Sequence, residues 1–287
     1  KDLSQKIHDK SISPVELTNA YLDKIELLDK ELNSFMEVYK DSALKTAIRL
    51  EKELLSGNTR GPLHGIPIGL KDIFDIKNKI TTVGSKILRN NFASSNATVV
   101  DKLESSGAII IGKTSLVEFA FGATGLNPHY PQTVNPWNKE KIPGGSSSGS
   151  AVGVAARVVP IALGSQTAGS VLRPASYNGV VGMKPTFGRI SRMGVMPVAW
   201  SLDTVGTFSR SVADTALILE ILAGQDKRDS STSDRPVPDY RLALVKQHLA
   251  PRIGVVRQFF LDKASSEVYN HTNNVIVRME EAGASIS

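Results

Sequence analysis

The sequence contains no cysteine, which removes disulfides, thiolate nucleophiles and cysteine-bound zinc from consideration. No apolar run approaches the ~18 residues that a membrane-spanning helix needs, and the first residues carry no signal-peptide pattern. A cytoplasmic setting without membrane contact is therefore expected. The five histidines, His8, His64, His129, His248 and His271, stand far apart, with no HExxH or other paired spacing, so no metal and no cofactor is expected. A concentrated block of one charge is also missing. The formal charge is +6, but basic and acidic residues interleave, as in Asn138-Lys139-Glu140-Lys141 and Asp226-Lys227-Arg228-Asp229. A nucleic-acid surface gathers its basic residues on a stripe with interleaved aromatics. This pattern reads as a solvated surface, and no nucleic-acid partner is expected.

What is present suits a large core: 287 residues, 41% hydrophobic and 22% charged. Length alone permits one large α/β domain or two ordinary ones. Ser13-Pro14-Val15-Glu16 is a capping box with proline at the first helical position, and Leu17, Tyr21, Ile25 and Leu28 follow at helical spacing. A second amphipathic helix is expected over about 41–55, strand and turn over 61–74, and a helix over 97–106. A short apolar strand over 108–111 should end at Gly112. Ser211 caps a helix to about Leu222, and residues 225–240 read as a polar surface loop. A strand over 252–256, a helix over 265–282 and a strand opening at 284 complete an alternation that argues for a layered α/β fold. Because this pattern breaks off inside a β-α-β unit, the chain is expected to be incomplete at its C-terminus.

Residues 144–188 differ from the rest. They are rich in Gly, Ser and Ala yet nearly uncharged, and they flank the apolar stretches 151–156 and 158–163. Small residues inside a core let backbones approach closely, as a tightly built site requires. Gly144-Gly145-Ser146-Ser147-Ser148-Gly149-Ser150-Ala151 admits three readings. Gly144 and Gly149 have the spacing of a phosphate loop, but Ser150-Ala151 stands where the phosphate-binding Lys-Ser/Thr belongs. Gly145 to Gly149 match a nucleophile elbow around Ser147, but an elbow needs a buried strand before it, and residues 138–143 are polar. The third is a glycine-rich turn leading into a buried helix.

Distant segments add to this one. Gly61 to Asp72, Gly-Pro-Leu-His-Gly-Ile-Pro-Ile-Gly-Leu-Lys-Asp, sets Lys71 inside an apolar stretch. Gly164-Ser165-Gln166-Thr167-Ala168-Gly169-Ser170 is a second Gly/Ser turn, and Gly179-Val180-Val181-Gly182-Met183-Lys184-Pro185-Thr186 follows. This ordered set resembles the amidase signature family over the whole chain, most densely from Lys71 to Asp203, with its two serines 24 residues apart at Ser146 and Ser170. The resemblance implies an α/β/α layered fold around a mixed, mostly parallel central sheet. It implies one domain over 1–287, with a helical region about 1–58, a catalytic core about 59–224 and the start of a C-terminal part at 225–287.

The resemblance also implies roles: Ser170 as nucleophile, Ser146 as the relaying serine after a cis Gly145–Ser146 bond, and Lys71 as base. The backbone of Thr167, Ala168, Gly169 and Ser170 is the implied oxyanion hole. The physics agrees, since an amide yields only to an activated hydroxyl. A lysine is a base only when neutral, and burial among Ile66, Ile68, Leu70, Ile73 and Phe74 lowers its pKa. Arg173, Ser147 and Gln166 are the candidate substrate contacts. Many members read Asp-x-Gly-Gly-Ser-Ile-Arg, whereas here the arginine lies three residues after Ser170 rather than two, a likeness to malonamidase-like small-molecule amidases. Arg173 either grips a substrate carboxylate or pairs structurally with Asp203 or Glu118. The expected function is hydrolysis of a small-molecule amide through an acyl-enzyme, with a homodimer left open. The alternatives are the amidating component of a tRNA-dependent amidotransferase, its A subunit, and a non-catalytic phosphate-binding or scaffold protein.

Overall fold

The computed structural model describes residues 2–246 and 250–287. It divides into two compact units, Lys1–Arg241 and Leu242–Ser287. In the first unit, α1 (Asp2–His8) precedes α2 (Pro14–Leu32), where both capping-box bonds form: Glu16 N–H donates to Ser13 Oγ at 3.0 Å and Ser13 N–H to Glu16 Oε2 at 2.8 Å. Leu17, Tyr21, Leu22 and Ile25 face inward at helical spacing. Burying each contributes roughly 1.5–3 kcal/mol. Then come β1 (Phe35–Val38), α3 (Lys40–Leu55), β2 (Pro67–Lys71), α4 (Thr98–Ser105), β3 (Ile109–Thr114), α5 (Ser148–Ala155), β4 (Ile161–Gln166), α6 (Leu172–Asn178), β5 (Val181–Met183), β6 (Thr204–Ser209) and α7 (Val212–Leu222).

These strands form one sheet in the order β1-β3-β2-β4-β6-β5. The central β3, β2 and β4 are parallel, β5 shares their direction, and β1 and β6 run against it. Four of the six strands thus point one way, the mixed, mostly parallel sheet expected. β2 is buried at all five positions, as befits a parallel strand covered on both faces. Successive side chains alternate between faces, so Lys71 and its register partner Thr114 share one face, while Leu70 and Lys113 share the other. α5 covers the Lys71 face: Thr114 Oγ1 lies 2.6 Å from Ser150 Oγ, which donates to Leu163 O at 2.8 Å.

β3 does not end at Gly112 but continues to Thr114. A Cβ at Gly112 would meet Glu37 O at 2.4 Å, so this glycine lets β1 approach the middle of β3 and does not stop the strand. The small residues of α5 have the same cause, since a Cβ on Gly149 would lie 2.2 Å from Ser34 O.

α8 (Tyr240–Val245) spans the division between the units. In the second unit, β7 (Arg252–Ile253) and β8 (Ser285–Ile286) pair in parallel, connected through α9 (Ser266–Glu281). The strand expected over 252–256 shortens to two residues.

Candidate active site

β2 ends at Lys71 and β4 ends at Gln166, side by side and parallel. In open α/β sheets, ligands gather at such carboxyl ends. The Lys71 side chain is 0% exposed. Its Nζ donates to Ser146 Oγ at 2.8 Å and Ser165 Oγ at 2.9 Å, and reaches Ser165 O at 3.5 Å. Burial pulls Lys71 from the usual lysine value of 10.5 down to about 7, while the negative charge of Asp203 resists the fall.

Ser146 is also 0% exposed and follows a cis Gly145–Ser146 peptide bond. Its loop is held from residues 117–124: Val117 N–H donates to Ser146 O at 3.2 Å, and Gly145 N–H to Ala123 O at 2.8 Å. Ser170 lies in the turn between β4 and α6, 9% exposed. Its carbonyl accepts from Ser147 N–H at 3.3 Å, which ties the two serine turns together. The Ser170 hydroxyl makes no hydrogen bond among the described residues.

The N–H groups of Ala168, Gly169 and Ser170 likewise make no hydrogen bond among the described residues, although the segment is open to solvent at Ala168. The side chain of Gln166 shapes the turn. Its Nε2 donates to Ala168 O at 2.9 Å, and its Oε1 accepts from Val171 N–H at 2.8 Å and Leu172 N–H at 2.9 Å. Thr167 Oγ1 donates to Asp203 Oδ1 at 2.5 Å, anchoring the other end. Free backbone donors in a fixed turn are what a developing oxyanion requires.

Two of the expected substrate contacts have their polar atoms engaged within the protein. Gln166 has committed its amide to its own turn. Ser147 is 0% exposed, and its hydroxyl donates to Ser165 O at 3.2 Å while accepting from Ser165 N–H at 3.4 Å. The hydroxyl is thus held by the β4 backbone, and the buried strand that an elbow needs is absent at 138–143. Arg173 differs. Its Nη1 donates to Gly145 O at 3.4 Å, and a Cβ on Gly169 would fall 2.5 Å from its Nη2. The guanidinium therefore lies over the turn, close against Gly169. Neither suggested carboxylate pairs with it: Asp203 accepts from Thr167 and from the N–H groups of Val198 and Ala199, and Glu118 is taken by Ser85 and His129.

Ser165 escapes the sequence reading, although it stands within the second Gly/Ser turn. Among the described residues, no group of three His, Asp or Glu side chains could hold a metal ion, and His248 lies outside them. His64 is structural, with Nδ1 accepting from Arg60 N–H at 3.2 Å and Nε2 facing Leu50 O at 2.9 Å. No helix of the described chain is long and apolar enough to cross a membrane.

The family model described as Amidase matches residues 16–287. The chain belongs to the amidase family. Curated relatives of this amidase include the glutamyl-tRNA(Gln) amidotransferase A subunit of Trichlorobacter lovleyi, 42% identical over 99% of this chain and 58% of its own. That of Fusobacterium nucleatum is 41% identical over 100% of this chain and 59% of its own. Among solved structures, the native peptide amidase from Stenotrophomonas maltophilia superposes with a TM-score of 0.92 at 37% identity, over 99% of this chain and 60% of that one. The chain thus spans about three fifths of the length of the relatives it matches.

Proposed function

We propose that this amidase cleaves a carboxamide C–N bond through an acyl-enzyme on Ser170. The observation that carries this reading is a fully buried Lys71, brought to about 7, whose amine faces the Ser146 hydroxyl at 2.8 Å. Ser170 Oγ attacks the carbonyl carbon as its proton passes to Ser146 Oγ, whose own proton passes to the neutral Lys71 amine. The carbonyl oxygen gathers charge against the turn at 168–170, and the proton then returns to the departing nitrogen. Water repeats the sequence to release the acid. A serine-directed fluorophosphonate should attach to Ser170, as peptide mass spectrometry can show. Attachment to Ser147 instead would overturn the assignment.

The setting that the curated relatives favour is that of the A component of an amidotransferase. An amidotransferase moves an amide nitrogen, so cleaving a donor carboxamide fits this site. Under that reading the partners are other proteins of the same complex and a glutamyl-tRNA, which revises the expectation of a lone small-molecule enzyme with no nucleic-acid partner. One observation favours a second reading, a small-molecule amidase: Arg173 overhangs the turn with no carboxylate paired to it among the described residues. Assaying ammonia release by the purified full-length protein, with and without partner proteins and glutamyl-tRNA, separates the two. Rapid turnover of small amides by the protein alone decides for the second.

A further inference from the structure

We infer that Ser165 is a positioning residue which aims the free electron pair of Lys71 at Ser146; the inference rests on the proposed roles of Lys71, Ser146 and Ser170. A neutral amine has two N–H bonds and one electron pair, so it serves as a base only toward the neighbour that the pair faces. Three oxygens surround Lys71 Nζ: Ser146 Oγ at 2.8 Å, Ser165 Oγ at 2.9 Å and Ser165 O at 3.5 Å. The carbonyl oxygen can only accept, so it claims one N–H. The second N–H and the electron pair are then divided between two hydroxyls.

The surroundings break that tie. Ser165 borders a cleft that is also lined by Ile73, Val195, Met196, Trp200 and Asp203. Asp203 lines the same cleft, and its negative charge favours a Ser165 hydroxyl hydrogen on the cleft side, which leaves the oxygen to accept from Lys71 at 2.9 Å. Ser146 Oγ has Lys71 as its one hydrogen-bond partner among the described residues, so its proton meets the electron pair. The charged groups around this lysine are few. Asp203 precedes β6 and Arg192 borders the same cleft. Asp72 follows Lys71 but is paired with Lys113 at 2.9 Å on the opposite face. Arg173 lies over the turn. α5, which covers the site, carries no charge.

The test is the rate of fluorophosphonate attachment to Ser170 against pH, in the wild-type full-length protein and in Ser165→Ala and Ser165→Thr. Ser165→Ala should lower the plateau rate about 10- to 100-fold, since a misdirected base loses much of its effect. It should also move the rising limb to lower pH by about half a unit or more, because an ammonium loses more than an amine when an acceptor is removed. Ser165→Thr keeps the hydroxyl and adds one methyl group, so it should restore both rate and limb. A Ser165→Ala protein faster than wild type would mean that Ser165 competes with Ser146 for the electron pair, and would overturn the inference. So would equal loss in both variants with an unmoved limb, which is a packing effect. If Ser165→Ala does not fold, Ser165→Cys keeps the volume with a weaker acceptor and should show the same shift. A wild-type protein that Ser170 labelling fails to mark overturns the underlying site and this inference together, whereas labelled wild type with indifferent variants removes only Ser165.

Discussion

Two lysines on adjacent parallel strands, Lys71 at the end of β2 and Lys113 in β3, are buried to the same degree and supplied differently. Lys113 is 1% exposed and forms an ion pair with Asp72 at 2.9 Å, with Thr81 Oγ1 at 3.3 Å and Ile80 O at 3.5 Å beside it. Lys71 is 0% exposed and meets hydroxyls and one carbonyl. A carboxylate in contact keeps an ammonium charged, whereas hydroxyls repay only part of the desolvation cost and release the proton near neutrality. The strand alternation does the sorting. Asp72 follows Lys71 directly, yet it points to the other face, where Lys113 and the N–H and hydroxyl of Thr82 engage it. One face of the sheet holds a buried ion pair, and the other a lysine without a carboxylate in contact.

The largest expected effect is on the Lys71 side. Lys71→Met should lower turnover by about 10²- to 10⁴-fold, the range that a general base supplies, while thermal unfolding shows a protein at least as stable as wild type. Lys71→Arg should not rescue, because a guanidinium does not deprotonate in this range. Retained activity in the arginine variant would make Lys71 a second structural lysine and erase the contrast. On the Lys113 side the loss is one of stability. Lys113→Met strands the buried Asp72 carboxylate and should cost about 3–5 kcal/mol in denaturant unfolding. If Lys113→Met instead unfolds like wild type and has lost activity, the two lysines have been assigned the wrong way round.

A pH series sharpens the same contrast. Lys71 is neutral in the fold above about 7, whereas in the unfolded chain it keeps its proton up to its ordinary value of 10.5. Turnover should therefore rise about tenfold per pH unit below 7 and level off above it. Stability follows by linkage. Between 7 and 10.5 the unfolded chain binds a proton that the fold does not, so wild-type stability gains with rising pH across that window; below 7 both states are protonated and this contribution is flat. Lys71→Met should lack that gain and Lys113→Met should keep it. Parallel unfolding curves for wild type and Lys71→Met across the window would place an ordinary charged lysine at position 71.

Much of this is legible in the residues. The capping box at Ser13 and the apolar periodicity of α2, α3 and α9 are local signals, so their helices appear where spacing puts them. The parallel strands are partly readable as apolar runs, but Gly112 misleads, because a glycine that admits a neighbouring strand looks like one that ends its own. β1, β5 and β6 escape recognition, since their burial comes from partners far away in sequence. Lys71, Ser146 and Ser170 stand out by their ordered motifs. Ser165, Gln166 and Ser147 show the limit: polar residues of the two Gly/Ser motifs differ in whether they face Lys71 or the backbone beneath, and only the fold of the turns decides. Asp203, suggested by sequence as an arginine partner, instead acts on Lys71 and Thr167, a contact that crosses 36 residues of chain.

The smallest effect concerns Arg173, and it tests what the catalytic face is built to receive. Arg173 is part-buried, donates to the carbonyl of Gly145 at 3.4 Å, and lies against Gly169 without a carboxylate partner among the described residues. Lys113 shows how this fold treats a cation that serves only structure, pairing it within 2.9 Å of a buried acid. Arg173 has no such acid, and its planar fork suits two-point contact with a substrate carboxylate entering beside the oxyanion turn. Arg173→Ala should then slow the turnover of amides that bear a carboxylate by about 10- to 100-fold, the worth of a charge-assisted contact, and leave neutral amides of the same length nearly unchanged. The measurement is kcat/KM on matched acidic and neutral amides, with melting temperature as a control on the fold. Equal loss on both substrates would show that the guanidinium supports the turn through Gly145 and Gly169, and that the charge on the catalytic face, like that on the opposite one, serves the architecture.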